Sequence, residues 1–132
     1  MFNIDRSMPK TESGAWAEFE GSKFLVAHIT NLKFQRALAR LQQPYRRKIE
    51  AGTMDPKVSK DLMCQAMAEA LVLNWKDVVD DSGTVVDYSS EGCYKALLNN
   101  PQFREFVATF AAELDNFREE EVEEAGKSSA IG

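Results

Sequence analysis

The stretch Ala15-Trp16-Ala17-Glu18-Phe19-Glu20-Gly21-Ser22-Lys23-Phe24-Leu25-Val26-Ala27-His28-Ile29 decides the class of fold. Two apolar-rich runs flank a Gly-first pair, Gly21-Ser22, which suits a type II′ turn, so the segment reads as a β-hairpin. With Gly21 and Ser22 as the loop, Glu20 faces Lys23, Phe19 faces Phe24 and Ala17 faces Val26. Side chains alternate along a strand, so Ala17, Phe19, Phe24 and Val26 share one face, the natural core face. Trp16 and Leu25 fall on the opposite face with Glu18, Glu20 and Lys23.

The pattern after the hairpin is helical. Asn31 is a suitable N-cap for a helix in which Phe34, Leu38, Leu41, Tyr45 and Ile49 recur at helical spacing up to Gly52. Pro44 interrupts it by removing an interior hydrogen bond, which predicts a kink or two short helices meeting near Gln43. Asp55-Pro56 is an N-cap and first-turn pair that opens a helix to about Leu73, with Leu62, Met63, Ala66, Met67, Ala70 and Leu73 on its apolar side. The region from Trp75 to Ser89 is the least regular. Asp80-Asp81-Ser82-Gly83 reads as a turn there, and Thr84-Val85-Val86 as a short strand or extended loop. Ser89 caps a short helix, and Asn100-Pro101 opens the last one, with Phe103, Phe106, Val107, Phe110, Leu114 and Phe117 on one stripe.

The expectation is an α+β, predominantly helical fold in which an N-terminal β-hairpin packs on four to five helices. Residues 1–13 read as an N-terminal arm, 14–119 as a single compact domain and 120–132 as an acidic C-terminal tail. A length of 132 residues suits one domain. The apolar share of 44% and charged share of 28% are those of a globular chain.

Several chemistries are disfavoured. Cys64 and Cys93 have no neighbouring Cys or His at metal-ligand spacing, so they read as reduced, partly buried thiols, and no metal site is expected. His28 is the only histidine, which excludes a two-His metal site and favours a structural or exposed role for it. If Gly83 is placed at the glycine position of a calcium loop, Val78 and Ser89 fall where carboxylates are required. No phosphate cradle or nucleophile elbow occurs, so neither an enzyme nor a cofactor is expected. The first residues lack the pattern of a secretory signal and no apolar run approaches membrane-spanning length, so a cytoplasmic location is expected.

The formal charge of −5 hides a segregation. Gly21 to Ile49 holds no acid but seven bases, Lys23, Lys33, Arg36, Arg40, Arg46, Arg47 and Lys48. Glu113 to Glu124 holds seven acids against Arg118 alone. This polarity suits contact between the two ends of one chain, or head-to-tail contact between copies. Candidate partner-binding residues are Trp16 and Leu25 on the outer hairpin face, Lys33, Arg36, Arg40, Arg46 and Arg47 in the basic stretch, and Met63 and Met67 as an adaptable apolar surface. The basic stretch also admits a nucleic-acid-binding or regulatory module, although net acidity weighs against it.

The punctuation of the chain is specific in its order. Gly14-Ala15-Trp16 is followed by Phe24-Leu25-Val26-Ala27, Asn31 with Phe34 and Arg36, Pro44-Tyr45-Arg46-Arg47 and Gly52-Thr53-Met54-Asp55-Pro56. Leu73-Asn74-Trp75, Tyr88-Ser89, Phe103-Arg104-Glu105-Phe106-Val107 and Asn116-Phe117-Arg118 come after them. From Gly14 to about Glu124 this succession resembles the tail assembly chaperones of long-tailed bacteriophages and prophages. The resemblance implies a non-enzymatic assembly factor of the host cytoplasm. Such a factor binds the tape measure protein, keeps it soluble, helps recruit tail tube subunits and is absent from the finished particle. It also implies that a longer product made by ribosomal frameshifting engages the tail tube protein, and Gly126-Lys127 suits a slippery coding run. A structural tail protein, for tail completion or associated with the tube, is the alternative reading.

Overall fold

The computed structural model describes residues 13–117. The expected arm and acidic tail therefore lie almost wholly outside the described residues. Strands β1 (Ala15–Phe19) and β2 (Ser22–Val26) form the hairpin, followed by helices α1 (Leu32–Gln42) and α2 (Arg46–Glu50). Next come α3 (Pro56–Ala70), strand β3 (Val72–Lys76), α4 (Ser90–Asn99) and α5 (Pro101–Ala112). The result is a helix-dominated α+β fold with a three-stranded antiparallel sheet in the order β1-β2-β3.

The hairpin register differs from the expected one. Phe19 pairs with Ser22, Ala17 with Phe24 and Trp16 with Leu25, so the loop is Glu20-Gly21. Both loop residues have positive φ, 50° and 82°, the signature of a type I′ turn rather than the type II′ turn expected for a Gly-first pair. The loop moves by one residue and each pairing by two, so face assignments survive. Phe24 and Val26 are buried beneath the sheet, while Trp16 remains on the outside. Glu20 is a poor residue for left-handed backbone, because its Cβ crowds the carbonyl. Glu20→Asn is expected to raise the unfolding free energy by about 0.5–1 kcal/mol, readable as a shifted urea midpoint at constant slope.

β3 replaces the expected end of the third helix. α3 stops at Ala70, and the next residues turn into an extended strand that pairs Trp75 with Phe24 and Asn74 with Leu25. The ladder then skips Leu73, since Val26 pairs with Val72. One extra residue in β3 forms a bulge, which lets both Val72 and Trp75 point into the core. The backbone N–H of Ala27 donates to the Leu71 carbonyl at 2.8 Å, fixing the helix-to-strand corner.

Helix boundaries follow local hydrogen-bond chemistry. Asn31, Asp55 and Ser89 cap α1, α3 and α4, accepting from the backbone N–H of Phe34, Lys57 and Gly92. Pro44 lies in a 3-10 turn, Gln43–Tyr45, that separates α1 from α2 as expected. Asn100 makes no side-chain cap for α5; its Nδ2 instead donates to the Ala96 carbonyl and closes α4. The last helix is shorter than its apolar stripe. It ends at Ala112, and Leu114–Phe117 form a 3-10 turn in which Asn116 Nδ2 donates to the Phe110 carbonyl at 3.1 Å.

α3 is the centre of the core. Its small buried residues Cys64, Ala66, Ala68 and Ala70 let α1 and α4 approach closely, with Phe34, Cys93 and Leu97 filling the space between. On the other side Phe24, Phe103 and Trp75 form an aromatic layer, with Phe24 and Phe103 ring centroids 4.7 Å apart and Phe24 edge-on to Trp75 at 6.3 Å. Gly92 keeps α4 close to Trp75: a Cβ there would stand 2.9 Å from Ser89 Oγ and 3.5 Å from the indole.

Both thiols are free and buried. Burial, reinforced by the neighbouring Cys64, pushes Cys93 up to about 12, and burial also raises Cys64, against the pull of Arg104. A thiol whose folded pKa exceeds its unfolded value contributes stability that is complete below the unfolded value and is lost as pH rises through the folded one. Stability is therefore expected to decline between pH 9 and 12, and Cys93→Ala to flatten that decline in melting experiments. Native protein at pH 8 is expected to react with a disulfide reagent only as fast as it unfolds.

Candidate functional site

The sequence-derived candidates separate into three places. Trp16 and Leu25 sit side by side across β1 and β2 on the outer sheet face. Trp16 is 42% exposed, and Lys76 Nζ lies 4.5 Å from its ring centroid, a cation–π contact. Leu25 is half-buried. This face also carries Glu18, Lys23 and Asn74, so its apolar area is small and broken by charge.

The second place is the outer surface of α1 and α2. Lys33, Arg36 and Arg40 are exposed at three- and four-residue intervals, which places them on one stripe of α1. Arg40 is engaged with Glu69 of α3 at 2.5 Å, and that contact raises its pKa through the hydrogen bond first and the carboxylate's charge second. Arg46 pairs with Glu50 at 3.2 Å on its own helix. Lys33, Arg36 and Arg47 make no ion pair among the described residues.

The methionines divide. Met63 is 37% exposed, whereas Met67 is 2% exposed and belongs to the core, so an adaptable two-methionine surface does not form. The alternation of Met63 and Met67 at helical spacing does not distinguish these positions, because the core wraps around α3 from α1 on one side and α4 on the other.

Two grooves adjoin α5, one along the length of the helix to the turn after it and one at its start. One is lined by Phe106, Phe110, Glu105, Thr109, Glu113 and Asn116. The other lies between the hairpin tip, the segment after β3 and the α4–α5 corner, where Phe19, Val78, Val79 and Phe103 supply apolar wall and Glu20 and Asn100 supply polar edge. Gln102 lines both, and Phe19 stacks on Phe106 at 4.8 Å between them. Val79 is 55% exposed and Val85, its bridge partner, 68%. The loop joining them is held by Asp80 Oδ1, which accepts from the backbone N–H of Ser82 and Thr84. These residues were not among the sequence candidates, since Phe106 and Phe110 read as core and Val79 has no periodic partner.

His28 is buried at 5% exposure. Its Nδ1 accepts from the Thr30 backbone N–H at 3.2 Å and lies 2.7 Å from Thr30 Oγ1, while the ring meets Phe117 edge-on at 5.1 Å. Its role in the fold is to seat the 3-10 turn against the entrance to α1. No group of three or more His, Cys, Asp or Glu residues able to hold a metal occurs among the described residues. No helix among them is long and apolar enough to cross a membrane.

A family model described as YdaY prophage protein matches residues 29–128, about three quarters of the chain. The chain belongs to the YdaY prophage protein family. No curated protein matches it, and no solved structure does. In this YdaY-family protein the matched span starts at Ile29, immediately after the hairpin, and takes in α1 to α5 together with β3. It therefore includes the basic stripe and both walls of the groove lined by Phe106 and Phe110. The groove beside the hairpin tip takes Phe19 and Glu20 from outside the span.

Proposed function

We propose that this prophage protein is a non-enzymatic tail assembly chaperone that binds the tape measure protein and keeps it soluble until tail tube subunits polymerise around it. Besides the resemblance read from the sequence, the observation that carries the reading is the pair of adjoining apolar grooves, one along α5 and one between the hairpin tip and the α4–α5 corner, that meet at Gln102. A long helical client presents an apolar stripe about one turn wide, and grooves on either side of a packed aromatic ridge suit such a stripe. Glu20, Glu105 and Glu113 at the groove edges add charge that keeps the complex soluble and favours a client with basic flanks.

The experiment is co-expression with the longest helical reading frame of the same prophage. Wild-type protein is expected to bring that product into the soluble fraction. Val79→Asp combined with Thr109→Lys, both at exposed positions, is expected to fold normally and to leave the client insoluble. A client equally soluble with the variant, or without any partner, overturns the reading. Recovery of the protein as a stoichiometric component of purified particles overturns it in favour of a structural tail protein.

A further inference from the structure

The charge segregation acquires a location in the fold. The acidic run of the sequence continues directly from Phe117: Arg118, then Glu119, Glu120, Glu121, Val122, Glu123 and Glu124. Phe117 is buried and packs against His28, three residues before the cap of α1. The Ile29 N–H donates to the Ala111 carbonyl at 2.9 Å, a second tie between the end of α5 and the entrance to α1. The described fold thus ends, at Phe117, beside the entrance to α1, on whose outer face Lys33 and Arg36 stand exposed without an ion-pair partner among the described residues.

We infer that Glu119–Glu124 pair in cis with the basic stripe of α1, Lys33 and Arg36 first. Reach is sufficient: the residues from Phe117 to Glu124 span up to about 23 Å when extended, and α1 is about 16 Å long. Charge is complementary, five carboxylates in that run against a stretch from Gly21 to Ile49 with no acid at all. Proximity decides between one chain and two. With only Arg118 between the anchored Phe117 and Glu119, the effective concentration of the run at α1 is in the millimolar range or above. A second copy supplies its run only at the protein's bulk concentration. The cis contact covers the basic stripe and withholds it from polyanions. This inference stands independently of the chaperone reading, since it concerns only the chain's own two ends.

Carbodiimide coupling of carboxylates to lysine amines, on a mixture of unlabelled and nitrogen-15-labelled full-length protein, tests it. The expected result is Lys33 joined to Glu119, Glu120 or Glu121 within single chains. The yield is expected to be independent of protein concentration and to fall at least about fivefold between 0.05 and 1 M salt, where the screening length shrinks to about 3 Å. Absence of these products overturns the inference, and so do products joining labelled to unlabelled chains, which place the contact between copies. Replacing the five glutamates by glutamine is expected to strengthen heparin binding about fivefold or more at low salt. Unchanged heparin affinity overturns the claim that the run covers the stripe.

Discussion

Trp75→Ala is expected to lower the unfolding free energy by about 3–5 kcal/mol, the usual cost of deleting a large buried aromatic side chain. Trp75 is 7% exposed, and its ring is shared by three parts of the fold. It meets Phe24 of β2 edge-on, Tyr88 edge-on at 5.2 Å, and the surface of α4 where Gly92 leaves room. Its Nε1–H donates to the Val86 carbonyl at 2.9 Å, closing the irregular segment over the sheet. Tyr88 in turn donates to the Val72 carbonyl at 2.5 Å, so loss of the indole also loosens the start of β3. Trp75→Phe separates the two contributions. It keeps most of the apolar area and leaves the Val86 carbonyl without its indole donor, so a loss of about 1–3 kcal/mol is expected. Urea unfolding followed by far-ultraviolet circular dichroism measures both. A Trp75→Ala loss below about 1 kcal/mol would show that β3 is not held by this residue.

Trp75 also lies where local sequence ceases to determine structure. Caps were legible because they are local chemistry: Asn31, Asp55 and Ser89 each supply a side-chain oxygen to an N–H two or three residues on. β3 was not, because Val72–Lys76 is a strand only by virtue of β2, and the bulge at Leu73 hides its alternation. The hairpin shows the same division. Which residues share a face follows from parity and was legible. Which two residues turn the chain depends on Glu20 accepting a φ of 50°, a conformation that its type does not advertise.

At the other end, the stripe from Phe103 to Phe117 has the spacing of one helix, yet the helix ends at Ala112. A 3-10 turn repeats every three residues, close enough to the helical period to keep Leu114 and Phe117 in line after the helix has ended. The site divides similarly. The Trp16–Leu25 neighbourhood is legible from one hairpin and the stripe of Lys33, Arg36 and Arg40 from one helix. The groove beside the hairpin tip arises only when that tip, the Val79 loop and the α4–α5 corner meet.

The second large effect is expected at Asn31, the residue that orients the basic helix. Asn31 is 2% exposed and works in both directions. Its Oδ1 accepts from the Phe34 N–H at 2.9 Å, while its Nδ2 donates to the His28 carbonyl at 2.6 Å. The His28 carbonyl also accepts from the Asn31 backbone N–H at 3.0 Å, so the corner between the sheet and α1 closes on this one side chain. Asn31→Ala leaves the Phe34 N–H unpaired in a buried place and removes one of two donors from the His28 carbonyl, for an expected loss of about 2–3 kcal/mol. Asn31→Asp distinguishes the two roles. On an exposed helix the carboxylate would cap as well as the amide, but here its second oxygen would face the His28 carbonyl with no proton to offer. Asn31→Asp is therefore expected to be no more stable than Asn31→Ala at pH 7. Burial against a carbonyl raises the carboxyl's pKa, so the variant binds its proton more tightly folded than unfolded. Its deficit relative to wild type is then expected to shrink as pH falls and the carboxyl becomes a donor. Melting temperatures of the three proteins between pH 4 and 8 measure this, and an Asn31→Asp protein as stable as wild type at pH 7 would show that only the cap matters. In the cross-linking experiment the same variants should lose the Lys33 products in proportion to the fraying of the first turn of α1, because that turn presents Lys33 to the acidic run.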